Sequence, residues 1–229
     1  MSTTILLTSF QTWLPHQKSN ASDDLLLKLQ AENDPFPDQA ISLTYLRQLP
    51  VDVFPASDLA IAKIEHLQPD VVICCGMAES RSQLTVEAGA TPRYLVAQVY
   101  WFIYYLVLQP IFSLKGLSYC LPAFFGNETS FETHFLKTAV DLDKLVEGLT
   151  DTEISHDAGK FVCEGLYYQL LRYFQDYAPT TGCIFVHVPV LTPENLATIL
   201  TDFRLIISRI ALWSTIQHQS RRRDATTAA

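Results

Sequence analysis

The feature that most constrains the fold is the alternation of short apolar runs with amphipathic stretches of helical period. Apolar runs of strand length occupy residues 5–8, 40–46, 70–76 and 183–190. Helical patterns occupy residues 22–30, 57–68, 141–149 and 192–213. Short apolar strands that alternate with helices are typical of a mostly parallel sheet covered on both faces. We therefore predict an α/β fold, a single-domain three-layer sandwich with a mostly parallel, twisted sheet flanked by helices.

Local signals predict where two of the helices begin and where the domain ends. Ser57 is the expected N-cap of the helix at residues 57–68, and Thr192 with Pro193 predicts the start of the C-terminal helix. We find no internal repeat and no linker, so the sequence predicts one domain over residues 1–219. The polar residues 220–229 are predicted to form a flexible tail.

Composition excludes several classes of function. The chain has 229 residues, of which 48% are hydrophobic, and its net charge is -8. This charge disfavours binding to nucleic acid or to an anionic membrane. The five cysteines show no regular spacing, and the N-terminus does not have the pattern of a signal peptide. Free thiols in the reducing cytoplasm are therefore expected. No cysteine or histidine pair has metal-ligand spacing, so we expect no metal. No organic cofactor is expected either.

Three polar residues lie near the ends of predicted strands or just after them, and in open α/β sheets the carboxyl ends of the strands are where ligand-binding sites form. They are Glu87, Cys163 and His187. Taken singly, each has an ordinary interpretation: a small core thiol, a core histidine and a solvated carboxylate. Taken together, they supply a nucleophile, a base and a group that orients the base. Cys163 also starts a helical pattern, and a helix N-terminus favours the thiolate.

Several motifs carry a family resemblance. The segment around Cys163 reads "SHDAGKFVCEGLYY", the segment around His187 reads "FVHVPVL", and the segment ending at Glu87 reads "GMAESRSQLTVE". These resemble the motifs of the pyroglutamyl peptidase I (pyrrolidone-carboxylate peptidase) family, in the family's order, and the chain looks like a divergent member. The resemblance implies that Cys163 is the nucleophile, His187 the base and Glu87 its orienting partner. It also implies the family's α/β fold and its activity, the release of an N-terminal pyroglutamyl residue from peptides.

The first loop carries the implied substrate pocket and departs from the family pattern. It reads "SFQTWL", with Phe10 kept, Ser9 in place of a glycine and Trp13 in place of a phenylalanine. In the family these aromatics help to line the lactam pocket, and two aromatic faces could hold a flat ring. Packing of both residues under a loop is the alternative. Asn20, in a segment that resembles the family's Asn-x-Ser, and Met77 complete the predicted substrate-binding set.

The largest departure is an unusual apolar segment at about residues 93–130. Residues 94–114 carry no charge, which is long enough for a membrane span. A single span would place Glu87 and Cys163 on opposite sides of the membrane and separate the three residues. A subunit interface or added core is therefore the first expectation, a membrane-surface element the second and a true span the third.

The predicted function is that of a cytoplasmic cysteine exopeptidase whose substrate is a peptide with an N-terminal pyroglutamate. No membrane and no nucleic acid is expected as a partner, and a homo-oligomer is one expectation for the apolar segment. Two alternatives stay open: a related cysteine amidohydrolase that acts on another small amide, and a non-catalytic interaction protein whose working part is the apolar segment.

Overall fold

The computed structural model describes residues 2–14, 17–32, 35–92 and 135–227, and the predicted apolar segment at about residues 93–130 lies outside these ranges. The strands are β1 (Thr3–Phe10), β2 (Ile41–Leu49), β3 (Val71–Met77), β4 (Leu84–Glu87), β5 (Gly89–Ala90), β6 (Leu136–Lys137), β7 (Thr152–Ser155) and β8 (Gly182–Val188). The helices are α1 (Ala21–Gln30), α2 (Val53–Leu67), α3 (Leu142–Val146), α4 (Val162–Tyr177) and α5 (Leu196–Thr227).

Six of the strands form one mixed sheet in the order β2-β1-β3-β8-β4-β7. The first four lie parallel to one another, whereas β4 runs antiparallel to β8 and parallel to β7. The prediction of a mostly parallel sheet is confirmed, with one reversal at β4. This reversal matters for the site because it brings the last residue of β4, Glu87, opposite Phe185 of β8.

Helices cover both faces of the sheet, as predicted for a three-layer sandwich. Side chains alternate between faces along each strand, so that Cys74 and Cys75 belong to different cores. The core on the Cys75 side packs against α1, α3 and α5, and the core on the Cys74 side packs against α2 and α4. The helix that carries Cys163 is therefore on the Cys74 side.

The predicted N-cap of the second helix is wrong. The helix α2 begins at Val53, and the Asp52 carboxylate accepts a hydrogen bond from the backbone N–H of Phe54 (3.3 Å). Ser57 lies inside the helix, where its hydroxyl donates to the carbonyl of Val53 (2.6 Å). A side chain that can pair with the preceding turn does not have to start a helix.

The C-terminal helix also differs from its predicted bounds. Its first helical residue is Leu196, whose N–H donates to the carbonyl of Thr192 (3.0 Å), so Pro193 lies in the turn before the helix. At the other end the helix continues to Thr227, through most of the predicted tail. Within the described ranges, no helix combines the length and the hydropathy needed to cross a membrane.

Candidate active site

The loop between β7 and α4 delivers Cys163 to the edge of the sheet. Gly159 has φ of +95°, a conformation that a side chain would strain, and its N–H donates to the carboxylate of Asp157 (3.2 Å). Phe161 is the N-cap of α4 in an extended conformation, with no side-chain cap. Cys163 is therefore the second residue of the helix, at the helix start where the sequence predicted it, and it reaches the sheet from the first turn.

Strand register brings Cys163 and His187 to the same place on the sheet. Gly76 of β3 is the register partner of His187 on the parallel strand β8. A Cβ on Gly76 would lie 2.8 Å from Sγ of Cys163. The thiol therefore sits directly above the Gly76 backbone, one strand away from the imidazole, and both side chains line one cavity.

The predicted partners His187 and Glu87 are in direct contact. Nδ1 of His187 lies 2.7 Å from Oε1 of Glu87, and the carboxyl group is fully buried. A carboxylate can only accept, so Nδ1 donates the proton and Nε2 is left as the basic nitrogen. Solvated placement of Glu87, the ordinary interpretation of a strand-end carboxylate, is thereby ruled out.

Two further groups from neighbouring elements hold Glu87. The hydroxyl of Tyr167 on α4 donates to the backbone carbonyl of Glu87 (3.1 Å). Nη2 of Arg81 lies 3.3 Å from Oε1 of Glu87 and donates to the backbone carbonyl of Asp157 (2.8 Å). Oε2 of Glu87 has no hydrogen-bond partner in the described part of the chain. Arg81 thus contacts the buried carboxylate.

The expectation that the helix start stabilises the thiolate of Cys163 is wrong. Burial and, secondly, the negative charge of Glu87 raise the pKa of the Cys163 thiol to about 12. These effects outweigh the field of the α4 N-terminus. The thiol is consequently protonated at neutral pH, and it needs a base before it can act as a nucleophile.

A cavity of about 640 Å³ opens over Cys163 and His187. All four residues predicted to bind substrate line this cavity: Phe10, Trp13, Asn20 and Met77. Glu87 lies behind His187 and outside the lining. The structure therefore brings the whole predicted set to one place, with the carboxylate shielded from the cavity by the imidazole.

The two predicted aromatic residues have different positions in the cavity. Phe10 is 2% exposed and belongs to the core at the cavity floor, whereas Trp13 is 56% exposed. The ring that faces Trp13 is that of Phe161, itself 57% exposed, with ring centroids 6.0 Å apart. Phe161 was not among the predicted site residues, although its position two residues before Cys163 was a usable signal.

Asn20 and Met77 also hold the first loop. Asn20 caps α1 by accepting from the N–H of Ser22 (3.0 Å), and its amide donates to the carbonyl of Gln11 (3.0 Å). Met77 accepts a weak hydrogen bond at Sδ from the N–H of Ala21 (3.3 Å). Both side chains thus fix the wall of the cavity, and the amide of Asn20 is already engaged within the protein.

The cavity has a mixed charge at its rim. Asp52 and Lys160 line it, and the side chain of Lys160 is exposed to solvent. Across the described ranges, no cluster of three or more histidine, cysteine, aspartate or glutamate side chains is arranged to hold a metal ion. The groups that the site itself provides are a thiol, an imidazole with its carboxylate, and backbone N–H groups at a helix start.

Sequence comparison identifies relatives of the chain, although no protein-family model matches it. The pyrrolidone-carboxylate peptidase of Vibrio campbellii is 29% identical over 171 residues, which cover 72% of each chain. The enzyme of the same name from Enterococcus faecalis is 28% identical over 184 residues, covering 71% of this chain and 78% of the relative.

Solved structures share the fold. Pyroglutamyl peptidase I from Bacillus amyloliquefaciens matches 92% of this chain and 96% of its own with a TM-score of 0.65, at 20% identity. Pyrrolidone carboxyl peptidase from Fervidobacterium islandicum matches 91% and 98%, also with a TM-score of 0.65, at 18% identity. The sequence relatives and the shared fold together fit a divergent member of the pyrrolidone-carboxylate peptidase family.

Proposed function

We propose that the protein is a cysteine exopeptidase that releases an N-terminal pyroglutamyl residue from peptides. The observation that carries this proposal is the 2.7 Å contact between His187 and Glu87, with the Cys163 thiol on the same cavity. The printed names of the relatives, pyrrolidone-carboxylate peptidase, support the same substrate class. In this proposal Cys163 is the nucleophile, His187 the general base and Glu87 the orienting group.

The first half of the reaction forms a thioester. The pyroglutamyl ring enters the cavity, and Nε2 of His187 takes the proton of the Cys163 thiol. The sulfur attacks the carbonyl carbon of the bond that joins the pyroglutamyl residue to the rest of the peptide. The tetrahedral intermediate then expels the amine, which His187 protonates.

The second half releases the acid. His187 removes a proton from water, and the resulting hydroxide attacks the thioester carbonyl. The thiolate leaves, it recovers the proton from His187, and pyroglutamate is released. Throughout both halves Glu87 accepts from Nδ1, which keeps Nε2 available and stabilises the imidazolium that forms.

The oxyanion is held by backbone N–H groups of the first turn of α4. The first intrahelical bond of this helix runs from the N–H of Gly165 to the carbonyl of Phe161 (3.0 Å). The N–H groups between these two residues precede the hydrogen-bonded part of the helix and surround the thiol-bearing residue. Donors fixed by a helix need no rearrangement as the negative charge develops.

The cavity supports a substrate larger than a single ring. Phe10 at its floor and the exposed pair of Trp13 and Phe161 offer apolar surfaces, and these suit a lactam and the adjoining residue of a peptide. Asn20 and Met77 contribute to the proposed substrate wall through their positions on the cavity. A volume of about 640 Å³ exceeds the need of a five-membered ring alone.

The test compares a fluorogenic pyroglutamyl amide with the corresponding unblocked aminoacyl amides. We expect turnover of the pyroglutamyl amide alone. Cys163→Ala should abolish it, whereas Cys75→Ala, which removes a buried thiol on the other face of the sheet, should leave it intact. Activity that survives in Cys163→Ala would contradict the assignment of the nucleophile.

A related cysteine amidohydrolase acting on another small amide is the second candidate. The replacement of a family phenylalanine by Trp13, and its exposure at the cavity, is the observation that favours it. A Cys163-dependent hydrolysis of other small amides, without turnover of the pyroglutamyl amide, would select this candidate over the first.

The proposal includes a cytoplasmic location and self-association through residues 94–114. The four cysteines in the described ranges, Cys74, Cys75, Cys163 and Cys183, have free thiols, which fits a reducing compartment. Fractionation of a lysate followed by size-exclusion chromatography tests both parts. Recovery only in detergent extracts would contradict the location, and elution as a monomer would contradict self-association.

A further inference from the structure

Arg81 connects the two halves of the site. It lies in the loop between β3 and β4, and its backbone N–H donates to the carbonyl of Ala78 (3.1 Å). Its Nη2 atom makes two contacts, an ion pair with Oε1 of Glu87 at 3.3 Å and a hydrogen bond that it donates to the carbonyl of Asp157 at 2.8 Å. The first contact reaches the carboxylate behind His187, and the second reaches the loop that delivers Cys163.

The chemistry of arginine suits this double contact. A terminal guanidinium nitrogen carries two N–H donors in a fixed plane, and the group stays charged. A lysine ammonium is instead a compact point charge on a flexible chain. Glu87 is fully buried, and within the described ranges Arg81 and His187 are its ion-pair partners. A buried carboxylate with an unpartnered second oxygen requires a nearby positive charge, and Arg81 provides one that does not depend on the protonation of His187.

Arg81 and the imidazole of His187 contact the same carboxylate, that of Glu87. The other titratable or charged groups near the imidazole and the thiol are Cys74 beside the thiol and, on the cavity, Asp52 and Lys160. Arg81 and His187 contact the same oxygen, Oε1 of Glu87, so the guanidinium and the imidazole share the charge of one carboxylate. Removal of the Arg81 charge should therefore strengthen the pairing of Glu87 with His187.

We infer that Arg81 is a positioning residue of the peptidase site, which tunes the His187–Glu87 pair and fixes the loop in front of Cys163. This inference rests on the proposed function. In this inference Arg81 acts through Glu87 and through the backbone of Asp157, which its Nη2 atom contacts, and not through bond formation.

The experiment measures the pH dependence of two quantities in Arg81→Gln, Arg81→Lys and the wild type. The first quantity is kcat/KM on the pyroglutamyl amide, and the second is the rate at which iodoacetamide alkylates Cys163, followed by peptide mapping. Arg204→Gln is the control, because it removes a partly exposed ion pair with Glu32. Thermal unfolding establishes that each variant is folded.

We expect Arg81→Gln to lower kcat/KM by about tenfold. The acidic limb of its profile of kcat/KM against pH should move to higher pH by at least about half a unit, because a positive charge next to the imidazole is lost. The alkylation profile should move in the same direction. Arg81→Lys should keep the acidic limb close to that of the wild type, and Arg204→Gln should change neither profile.

The inference would be overturned if Arg81→Gln lost activity while neither pH profile shifted. Unchanged activity in this variant would also overturn it. If Arg81→Gln does not fold, Arg81→Lys decides: we expect its kcat/KM to fall several-fold, and an unchanged value would refute the role. The alkylation profile needs no substrate. A wild type without peptidase activity would therefore contradict the proposed function, while the alkylation shift would still test Arg81.

Discussion

Gly76 offers the sharpest test of the geometry, because a single methyl group at this position would press on the nucleophile. A Cβ on Gly76 would lie 2.8 Å from Sγ of Cys163 and 2.9 Å from Cζ of Phe185. Ordinary contacts between such atoms are about 3.5–4.0 Å, so the shortfall is on the order of 1 Å. Phe185 is fully buried and cannot easily move, so the thiol is the group that must give way.

For Gly76→Ala we expect a folded protein with a displaced thiol. A shift of about 1 Å in a reacting group can cost roughly 100-fold in rate, and we expect a loss of this size in kcat/KM. Overpacking should also cost about 1–3 kcal/mol of stability. For a chain of this length that corresponds to a fall in Tm of about 2 to 12 °C. The measurements are steady-state kinetics on the pyroglutamyl amide and thermal unfolding of the same samples.

Gly182→Ala is the matched control. A Cβ at Gly182 would lie 2.6 Å from Cζ3 of Trp213, so this variant should also lose stability through overpacking. Gly182 begins β8, five residues before His187, which places it about 17 Å from the site along the strand. Its kcat/KM should stay close to that of the wild type. A Gly76→Ala variant with kcat/KM within about threefold of the wild type would refute the position given to the Cys163 thiol.

The remaining predictions concern the roles of the triad, the protonation of the Cys163 thiol and the ion pair between Asp23 and Arg47. His187→Ala should lose nearly as much activity as Cys163→Ala, whereas Glu87→Gln should keep a measurable remnant; a fully active Glu87→Gln would reduce the triad to a dyad. Alkylation of Cys163 by iodoacetamide should accelerate with rising pH without a plateau below about pH 9, because the pKa of its thiol is raised; a plateau near pH 6 would instead indicate a thiolate–imidazolium pair. Asp23→Asn should lower the free energy of unfolding at neutral pH by about 1–3 kcal/mol. Burial alone would raise the pKa of Asp23, but hydrogen bonds from Arg47 and other neighbours outweigh it and lower that pKa below 3.8. The stability difference should therefore be present above this value and vanish as the pH falls through the lowered pKa, as measured by denaturant titration; a difference that persists at low pH would contradict the role of the charge.

The layered fold could be predicted because its signals are local. A continuous apolar run such as residues 70–76 can be accommodated only where both faces of a strand are covered, and the structure places it there as β3. The direction of β4 could not be predicted in the same way. Its register against β8 depends on pairing between strands about 100 residues apart, and no local pattern encodes that pairing.

The residues of the candidate site were selected from their positions at strand ends and from family motifs, and the structure brings them together. Their environments were less predictable. Glu87 looks like a solvated strand-end residue in the sequence, yet β7, β8 and α4 enclose it completely. Arg81 and Phe161 were not among the predicted site residues, because their contacts come from the folding of separate loops onto one cavity.

The raised pKa of Cys163 changes how the proposed chemistry has to begin. A thiol that is already ionised would react with any small electrophile, whereas a protonated thiol waits for a base. His187 can serve as that base because Glu87 fixes its Nδ1 as a donor. A bound substrate would exclude water from the cavity and strengthen the pull of the α4 N-terminus on the developing negative charge. Burial of the thiol therefore couples its activation to occupation of the cavity.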